Sequence, residues 1–291
     1  MNHRGDETVR IAYLVLHYMA GKDTIECIHS ILNVSKKSEH QVLVIVVDNG
    51  SLNDSYFEIC REFENNNKVK IIHSDTNLGF AKGNNLGFHY AKHEWNADFI
   101  VQLNNDTIVS QENFNEAIVN KYNENKYAVL GPDIITKDNF HQNPVPKKLF
   151  SIRDLHIYRM KKYIKLAVYY ARIENLLLGD KEKEIYRKTP LIGDQKVNML
   201  HGACLIFSPV FIRKYDGMCD RTFLYWEEDI LGLMMKKDKM IMLYSSDLRL
   251  YHKEDASTNA INKSKREKTI WVEKQLIRSS RVYENILKEL I

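Results

Sequence analysis

The chain has 291 residues, with 42 Lys and Arg against 38 Asp and Glu, a net charge of +4. That balance excludes a dedicated nucleic-acid binder, which carries a strongly basic face. With 44% hydrophobic residues, 5 Pro and 12 Gly, disordered, collagen-like and linker-dominated chains are excluded as well. The length suits two domains of about 150 residues or one large α/β domain. Cys27, Cys60, Cys204 and Cys219 form no C-x-x-C pair, which argues against a zinc ribbon or a thioredoxin-like site. No apolar run approaches the roughly 20 residues that span a bilayer, and residues 11–16 are too short for a signal segment. A cytoplasmic protein is expected, with attachment to the inner face of the membrane left open.

In chain order, residues 11–16 form a continuous apolar run, as a strand buried on both faces does. Residues 23–33 follow at helical spacing, with Asp23 or Thr24 available as a cap. A second β-branched run spans 42–47 and stops at the turn residues 48–51. Residues 54–65 read as a helix, 69–73 as a strand, 86–93 as a helix and 99–103 as a fourth strand. This rhythm predicts an α/β fold with a mostly parallel sheet and helices on both faces. Ligands of such sheets bind beyond the carboxyl ends of the strands. Further on, 114–125 reads as a helix and 128–132 as a short strand and turn; Pro144 and Pro146 mark a break. Strand-like composition returns at 197–207, followed by a helix at 229–239, a strand at 240–244 and an amphipathic C-terminal helix at 268–291.

Three polar clusters follow strands. The first, VVDNGS at 46–51, ends a buried strand in a carboxylate, Asp48, that by itself reads first as a turn and helix cap and second as a hydrogen-bond acceptor for a bound base. The second, NLGFAKGNN at 77–85, repeats glycine every four residues. That spacing puts small residues on one helix face, for close packing against a strand or a ligand. It is neither G-x-G-x-x-G nor G-x-x-x-x-G-K-[ST]. The third, LNND at 103–106, places Asp106 where a hard cation could bridge substrate phosphates, although a strand-end turn explains it too.

Together, and in this order, these clusters resemble the inverting glycosyltransferases of family 2, which have a Rossmann-like GT-A fold and use nucleotide-diphosphate sugars. Later segments agree: MLHGACL at 199–205 resembles the family's strand lining the sugar pocket. FLYWEEDIL at 223–231 resembles its segment with the catalytic base, and His252 with Ser257 its closing element. The resemblance covers residues 9–258 and is nearest to the rhamnosyltransferase-like branch of bacterial polysaccharide synthesis. It implies a domain over 1–258, a basic helical insertion over about 147–190 and a C-terminal extension over 259–291.

The resemblance also implies roles. Leu16 and His17 would line the base pocket and Asp48 would read the base. Asn77, Gly79, Lys82, Gly83, Asn104 and Asn105 would lie along the nucleotide and its phosphates, and Gly202 and Ala203 along the sugar. Asp106 and His252 would hold Mg²⁺ or Mn²⁺. Glu228 or Asp229 would be the base, beside Glu227; counting from Tyr225 favours Glu228, while matching an ED pair favours Asp229. The family's D-x-D reads Asn104-Asn105-Asp106 here, with a single carboxylate. The implied partners are a UDP- or dTDP-linked sugar and a glycan or lipid-linked acceptor. A catalytically inactive nucleotide-binding module of the same fold is the alternative.

Residues 147–172 match none of these motifs. They interleave Lys147, Lys148, Arg153, Arg159, Lys161, Lys162, Lys165 and Arg172 with aromatic and aliphatic residues. This reads either as a helical insertion packed by its aromatics or as a basic amphipathic helix on an anionic membrane. The C-terminal helix is expected to pack on the core or on a second copy of the chain.

Overall fold

The computed structural model describes residues 8–174, 188–254 and 264–290. Strand β1 (Arg10–His17) leads into α1 (Gly21–Ser35), β2 (Gln41–Asp48), α2 (Ser55–Glu62) and β3 (Val69–His73). Helix α3 (Phe80–His89), extended by a π turn at Tyr90–Glu94, precedes β4 (Phe99–Asn104) and the short β5 (Thr107–Ile108). Then come α4 (Phe114–Asn125), β6 (Val129–Thr136), α5 (Ile152–Ala171), β7 (Asp194–Lys196) and β8 (Cys204–Phe207). The chain continues through α6 (Pro209–Lys214), α7 (Glu227–Lys237), β9 (Met242–His252) and α8 (Lys265–Glu289). Ser257, expected in the closing element, lies outside the described residues.

One sheet runs β3-β2-β1-β4-β8-β6-β9-β5, with β7 also paired to β9. β3, β2, β1 and β4 are parallel neighbours, and β6 is parallel to β9. β8 runs antiparallel between β4 and β6, and β5 and β7 are antiparallel to β9. The expected mostly parallel sheet is therefore observed, with one reversed strand in its middle. Helices cover both faces. Ile11, Tyr13 and Val15 of β1 pack with Ile28 and Ile31 of α1, while Ala12 and Leu14 pack with Ala81 and Phe88 of α3. A strand buried on both faces reads as an unbroken apolar run, and β1 does.

Three differences from the sequence reading have local causes. Helix α3 begins at Phe80 rather than residue 86, because Gly79 at φ +85° turns the chain into it. Gly83 and Gly87 face the sheet, where a side chain on Gly87 would collide with Leu14, so the spacing of four serves packing at those positions. Of residues 197–207, only Cys204–Phe207 form a strand, and the preceding residues turn into the site. The last strand runs on to His252. Its pairing with β6 jumps from Ser245 to Arg249, and this irregularity lets the strand continue along Asp133–Thr136.

A third, smaller core lies between α5, α7 and α8, formed by Leu155, Trp226, Ile230, Leu233, Tyr283 and Ile286. Capping boxes start both long helices, Ser151 with Asp154 and Ser264 with Glu267. The basic segment is thus not a uniformly solvated face. Arg159 pairs with Glu284, and Lys162 and Lys165 converge on Glu273, both acids belonging to α8. On the side away from this core, Ile157, Met160 and Ile164 are exposed.

Candidate active site

A cavity of about 500 Å³ opens at the carboxyl ends of β1, β2 and β4, where an open α/β sheet takes its ligands. Its wall is built from loops far apart in sequence. Leu16 and Tyr18 come from the end of β1, Asn49 follows β2, and Asn77, Gly79 and Phe80 enter α3. Asn104, Asn105 and Asp106 follow β4; His201, Gly202 and Ala203 precede β8. Residues 223–225, Glu227 and Glu228 close the far side, with Trp271 of α8.

On the β1–β2 side, Asn49 organises the wall. Its amide Nδ2 donates to Gly79 O at 3.1 Å, and its Oδ1 accepts from Leu78 N at 2.9 Å. Phe80 N then donates to Phe223 O at 2.8 Å, joining this loop to the opposite wall. Gly79 is required there, since any side chain would strike the Phe223 carbonyl. Four residues expected along the nucleotide stand off the wall. His17 is fully buried on the other face of β1, bonded to Thr24 Oγ1 at 2.7 Å and Ser55 Oγ at 2.8 Å. Burial lowers its pKa to about 4. Neighbouring strand residues point to opposite faces, so Leu16 and His17 cannot both line one pocket. Asp48 is buried, accepting from the Ser51 amide at 3.3 Å and bonded to His73 Nδ1 at 2.8 Å. Lys82 is exposed on α3, and Gly83 faces Leu16 and Asn49 from within the packing.

Below β4 the structure brings Asp106 and His252 together. Thr107 of β5 pairs with His252 of β9, so the strand register sets the two side by side. His252 Nε2 lies 3.2 Å from Asp106 Oδ1 and Nδ1 lies 2.7 Å from Gln142 Oε1. Gln142 in turn donates from Nε2 to Glu254 Oε1 at 2.6 Å, which fixes the orientation of its amide. The Gln142 carbonyl accepts only, so His252 carries its proton on Nδ1. Nε2 is thereby turned to the Asp106 carboxylate at a separation that a shared cation fits. A histidine oriented through its second nitrogen is usual for metal ligands. Asp106 and His252 therefore fit a divalent cation, completed by substrate phosphates and water. Among the described residues there is no group of three or more His, Cys, Asp or Glu that would hold a metal on protein ligands alone.

At the far wall, three acids occupy the first turn of α7. The chain enters it through Tyr225 at φ +69° and Trp226 at φ +74°, both left-handed. Such backbone strain concentrates at functional sites. Glu227 and Glu228 line the cavity; Asp229 is buried away from it, 2.9 Å from Lys147 Nζ. Lys147 is itself seated 4.9 Å from the Phe150 ring and 5.0 Å from the Trp226 ring. Glu227 accepts from Thr222 Oγ1 at 2.9 Å. Burial raises the pKa of all three acids. Glu228 adds its charge against Glu227, and Lys147 works the other way on Asp229 and Glu228. Gly202 leaves the space in which the Glu228 carboxylate sits; a Cβ there would collide with Glu228 Oε1. His201 beside it stays neutral, its pKa lowered to about 3 by burial and by His252.

Residues 14–177 match the family model for glycosyl transferase family 2. The chain belongs to that family. Glycosyltransferase GlyG of Streptococcus pneumoniae is 33% identical over 121 residues, 41% of this chain and 37% of that protein. Low-salt glycan biosynthesis hexosyltransferase Agl10 of Haloferax volcanii is 24% identical over 213 residues, 68% of this chain and 58% of that protein. The chain thus spans 37% and 58% of the lengths of these curated relatives. Among solved structures, S. aureus TarS 1–349 in complex with UDP-GlcNAc superposes with a TM-score of 0.54 at 14% identity, covering 97% of this chain and 71% of that one. GalNAc-T7 with UDP, GalNAc and Mn²⁺ superposes at 0.59 and 10% identity, covering 87% of this chain and 46% of that one. These likenesses show the GT-A fold.

In this family member, ten of the residues expected from the sequence motifs share one wall: Leu16, Asn77, Gly79, Asn104, Asn105, Asp106, Gly202, Ala203, Glu227 and Glu228. His252 sits directly behind Asp106. Asn49, Lys147, Gln142 and Trp271 were missed. Only Asn49 carried a signal, being inside the first motif.

The raised acids give a pH dependence with a definite sign. Folding lifts the pKa of Glu227 above its unfolded value, so between the two the folded state binds more protons and stability falls as pH rises. Glu227→Gln keeps an acceptor for Thr222 and removes that loss. Its urea midpoint is expected to exceed that of the unaltered protein by more at pH 8 than at pH 5. An equal gain at both values would contradict the assignment.

Proposed function

We propose that the chain is an inverting hexosyltransferase, which takes a nucleoside diphosphate sugar in this cavity and passes the sugar to a hydroxyl of a glycan acceptor. One observation carries the reading: a single cavity joins the three motif loops to Glu228, a carboxylate of raised pKa on the opposite wall. UDP in the TarS and GalNAc-T7 structures and the hexosyltransferase activity named for Agl10 favour a UDP-linked hexose. The motif resemblance keeps a dTDP-linked rhamnose as the second candidate. Bacterial surface polysaccharide synthesis, with a lipid-linked acceptor, is the setting that resemblance suggests.

In this reading, the acceptor hydroxyl attacks the anomeric carbon from the Glu228 side. Its proton passes to the Glu228 carboxylate as the new C–O bond forms, typically worth 10²–10⁴-fold in rate. The bond to the diphosphate breaks and its electron pair leaves with the nucleoside diphosphate, so one displacement inverts the anomeric centre. Glu228 faces the cavity while Asp229 is held by Lys147, which favours Glu228 as the base. Asp106 and His252 would hold Mg²⁺ or Mn²⁺, which would supply charge neutralisation for the leaving diphosphate. Asn77, Asn104 and Asn105 would contact the donor, and Gly202 and Ala203 would border its sugar. An inactive nucleotide-binding module would gain nothing from burying a carboxylate against the cavity at Gly202.

Helix α5 supports contact with an anionic membrane. Ile157, Met160 and Ile164 recur at helical spacing on its outer side, where they are 41, 55 and 57% exposed. Arg153 and Lys161 lie on the same side, each near-surface base being worth about 1 kcal/mol on an anionic leaflet. A cytoplasmic enzyme docked on the inner leaflet would meet a lipid-linked acceptor there.

Three measurements test these readings. Glu228→Gln is expected to lower kcat about 10²–10⁴-fold with UDP affinity unchanged; Asp229→Asn producing that loss while Glu228→Gln does not would move the role to Asp229. Gln142→Leu should weaken Mn²⁺ binding, followed by its paramagnetic resonance signal, by about 10–100-fold, and unchanged binding would refute the His252 site. The protein should float with phosphatidylserine vesicles, and Ile157→Glu with Ile164→Glu should abolish flotation. Equal flotation of both forms would exclude α5 as the docking face.

A further inference from the structure

The acceptor must place a hydroxyl within about 3 Å of the base. In the reading above, its ring therefore lies against the wall beside Glu228. That wall is aromatic. Phe223 and Tyr225 come from the loop before α7, and Trp271 comes from the C-terminal helix α8. The polar groups suited to a nucleotide, Asn49, Asn77, Asn104 and Asn105, lie on the other loops. Trp271 lies outside the stretch matched by the family model, which ends at residue 177.

Helix α8 also holds the aromatic loop in place. Ser279 Oγ donates to Leu224 O at 2.7 Å, and Arg221 forms a two-pronged pair with Glu289 at 2.8 and 3.0 Å. From the other side, Phe80 N donates to Phe223 O at 2.8 Å. The loop is thus pinned to α8 and to the start of α3. Phe223 is exposed, and Tyr225 and Trp271 are half-buried, and all three line the cavity.

We propose that Trp271, with Phe223 and Tyr225, forms an acceptor subsite that stacks against a pyranose ring and presents its hydroxyl to Glu228. The inference rests on the transferase reading and names the acceptor side of that site. An aromatic face is electronegative, and one face of a pyranose carries several C–H bonds whose hydrogens are weakly positive. Stacking fixes the ring plane while leaving its hydroxyls at the edge, where Glu228 can meet one. The subsite suits a pyranose with an apolar face and not an extended anionic chain, because no Lys or Arg is among the described residues that line the cavity.

Saturation-transfer NMR tests this with UDP and diamagnetic Mg²⁺ present and a set of methyl hexopyranosides as probes. The unaltered protein should transfer saturation to the C–H protons of at least one pyranoside and, separately, to UDP. Trp271→Ala should reduce the pyranoside signal at least about fivefold with the UDP signal intact, and Trp271→Phe should retain part of it. An unchanged urea midpoint reports that each variant folds. Absence of pyranoside saturation in the unaltered protein, or equal pyranoside signals in all three forms, would overturn the subsite. Loss of the UDP and pyranoside signals together in Trp271→Phe would assign Trp271 to the donor and also overturn it. A failure of UDP itself to bind the unaltered protein would instead refute the transferase reading.

Discussion

Three carboxylates in the first turn of one helix must be kept under cover, and much of the far half of the molecule answers to that constraint. Removing charge from water costs several kcal/mol per ion in real proteins, unless partners are supplied. The positive end of α7 supplies part of the compensation. Thr222 supplies a hydroxyl to Glu227, and Lys147 supplies a cation to Asp229. Lys147 is placed by the segment leading to α5, and its stem and charge rest between Phe150 and Trp226. Those rings belong to the small core that α8 completes. The third acid, Glu228, is left to face the cavity against Gly202. Glu227 and Glu228 thus share the cavity wall while Asp229 is turned to Lys147, a separation of environments of the kind that gives neighbouring carboxylates different roles.

The opposite side of the cavity depends on strand register. The pairing irregularity in β9 opposite Pro132 and Asp133 lets one strand pair first with β7 and then with β5. Its last residue, His252, thereby lands beside Thr107 and within reach of Asp106. Gln142 and Glu254 then hold the ring, so the Asp106–His252 pair proposed as a cation site is oriented in advance. Preorganisation of this kind lowers the cost of ordering groups when the charged substrate arrives.

Much of the first half of the chain was legible in the sequence, for a physical reason. Parallel strands buried on both faces announce themselves as apolar runs, and their carboxyl ends are marked by the polar residues that stop them. Asn77, Asn104 and Asp106, which line the cavity, were found that way, while Asp48 lies buried behind it. The same logic failed at His17, because the alternation of side chains along β1 places it on the opposite face from Leu16. It failed at Gly83 because helix packing asks for the same small residues that ligand binding does. The residues that orient the chemistry were hidden by distance along the chain. Lys147 meets Asp229 across 82 positions, and Gln142 meets His252 across 110. No local pattern records such pairings; they follow from the pairing of β6 with β9 and the packing of α5 on α8.

In the proposed transferase, one cavity receives the nucleotide end of a sugar donor along the β1, α3 and β4 loops. Amide hydrogen exchange with and without UDP and Mn²⁺ tests it most directly. The account predicts slowed exchange at residues 77–80, 104–106 and 201–203, with the outer face of α5 unchanged. Protection confined to other segments, or none at saturating nucleotide, would contradict it.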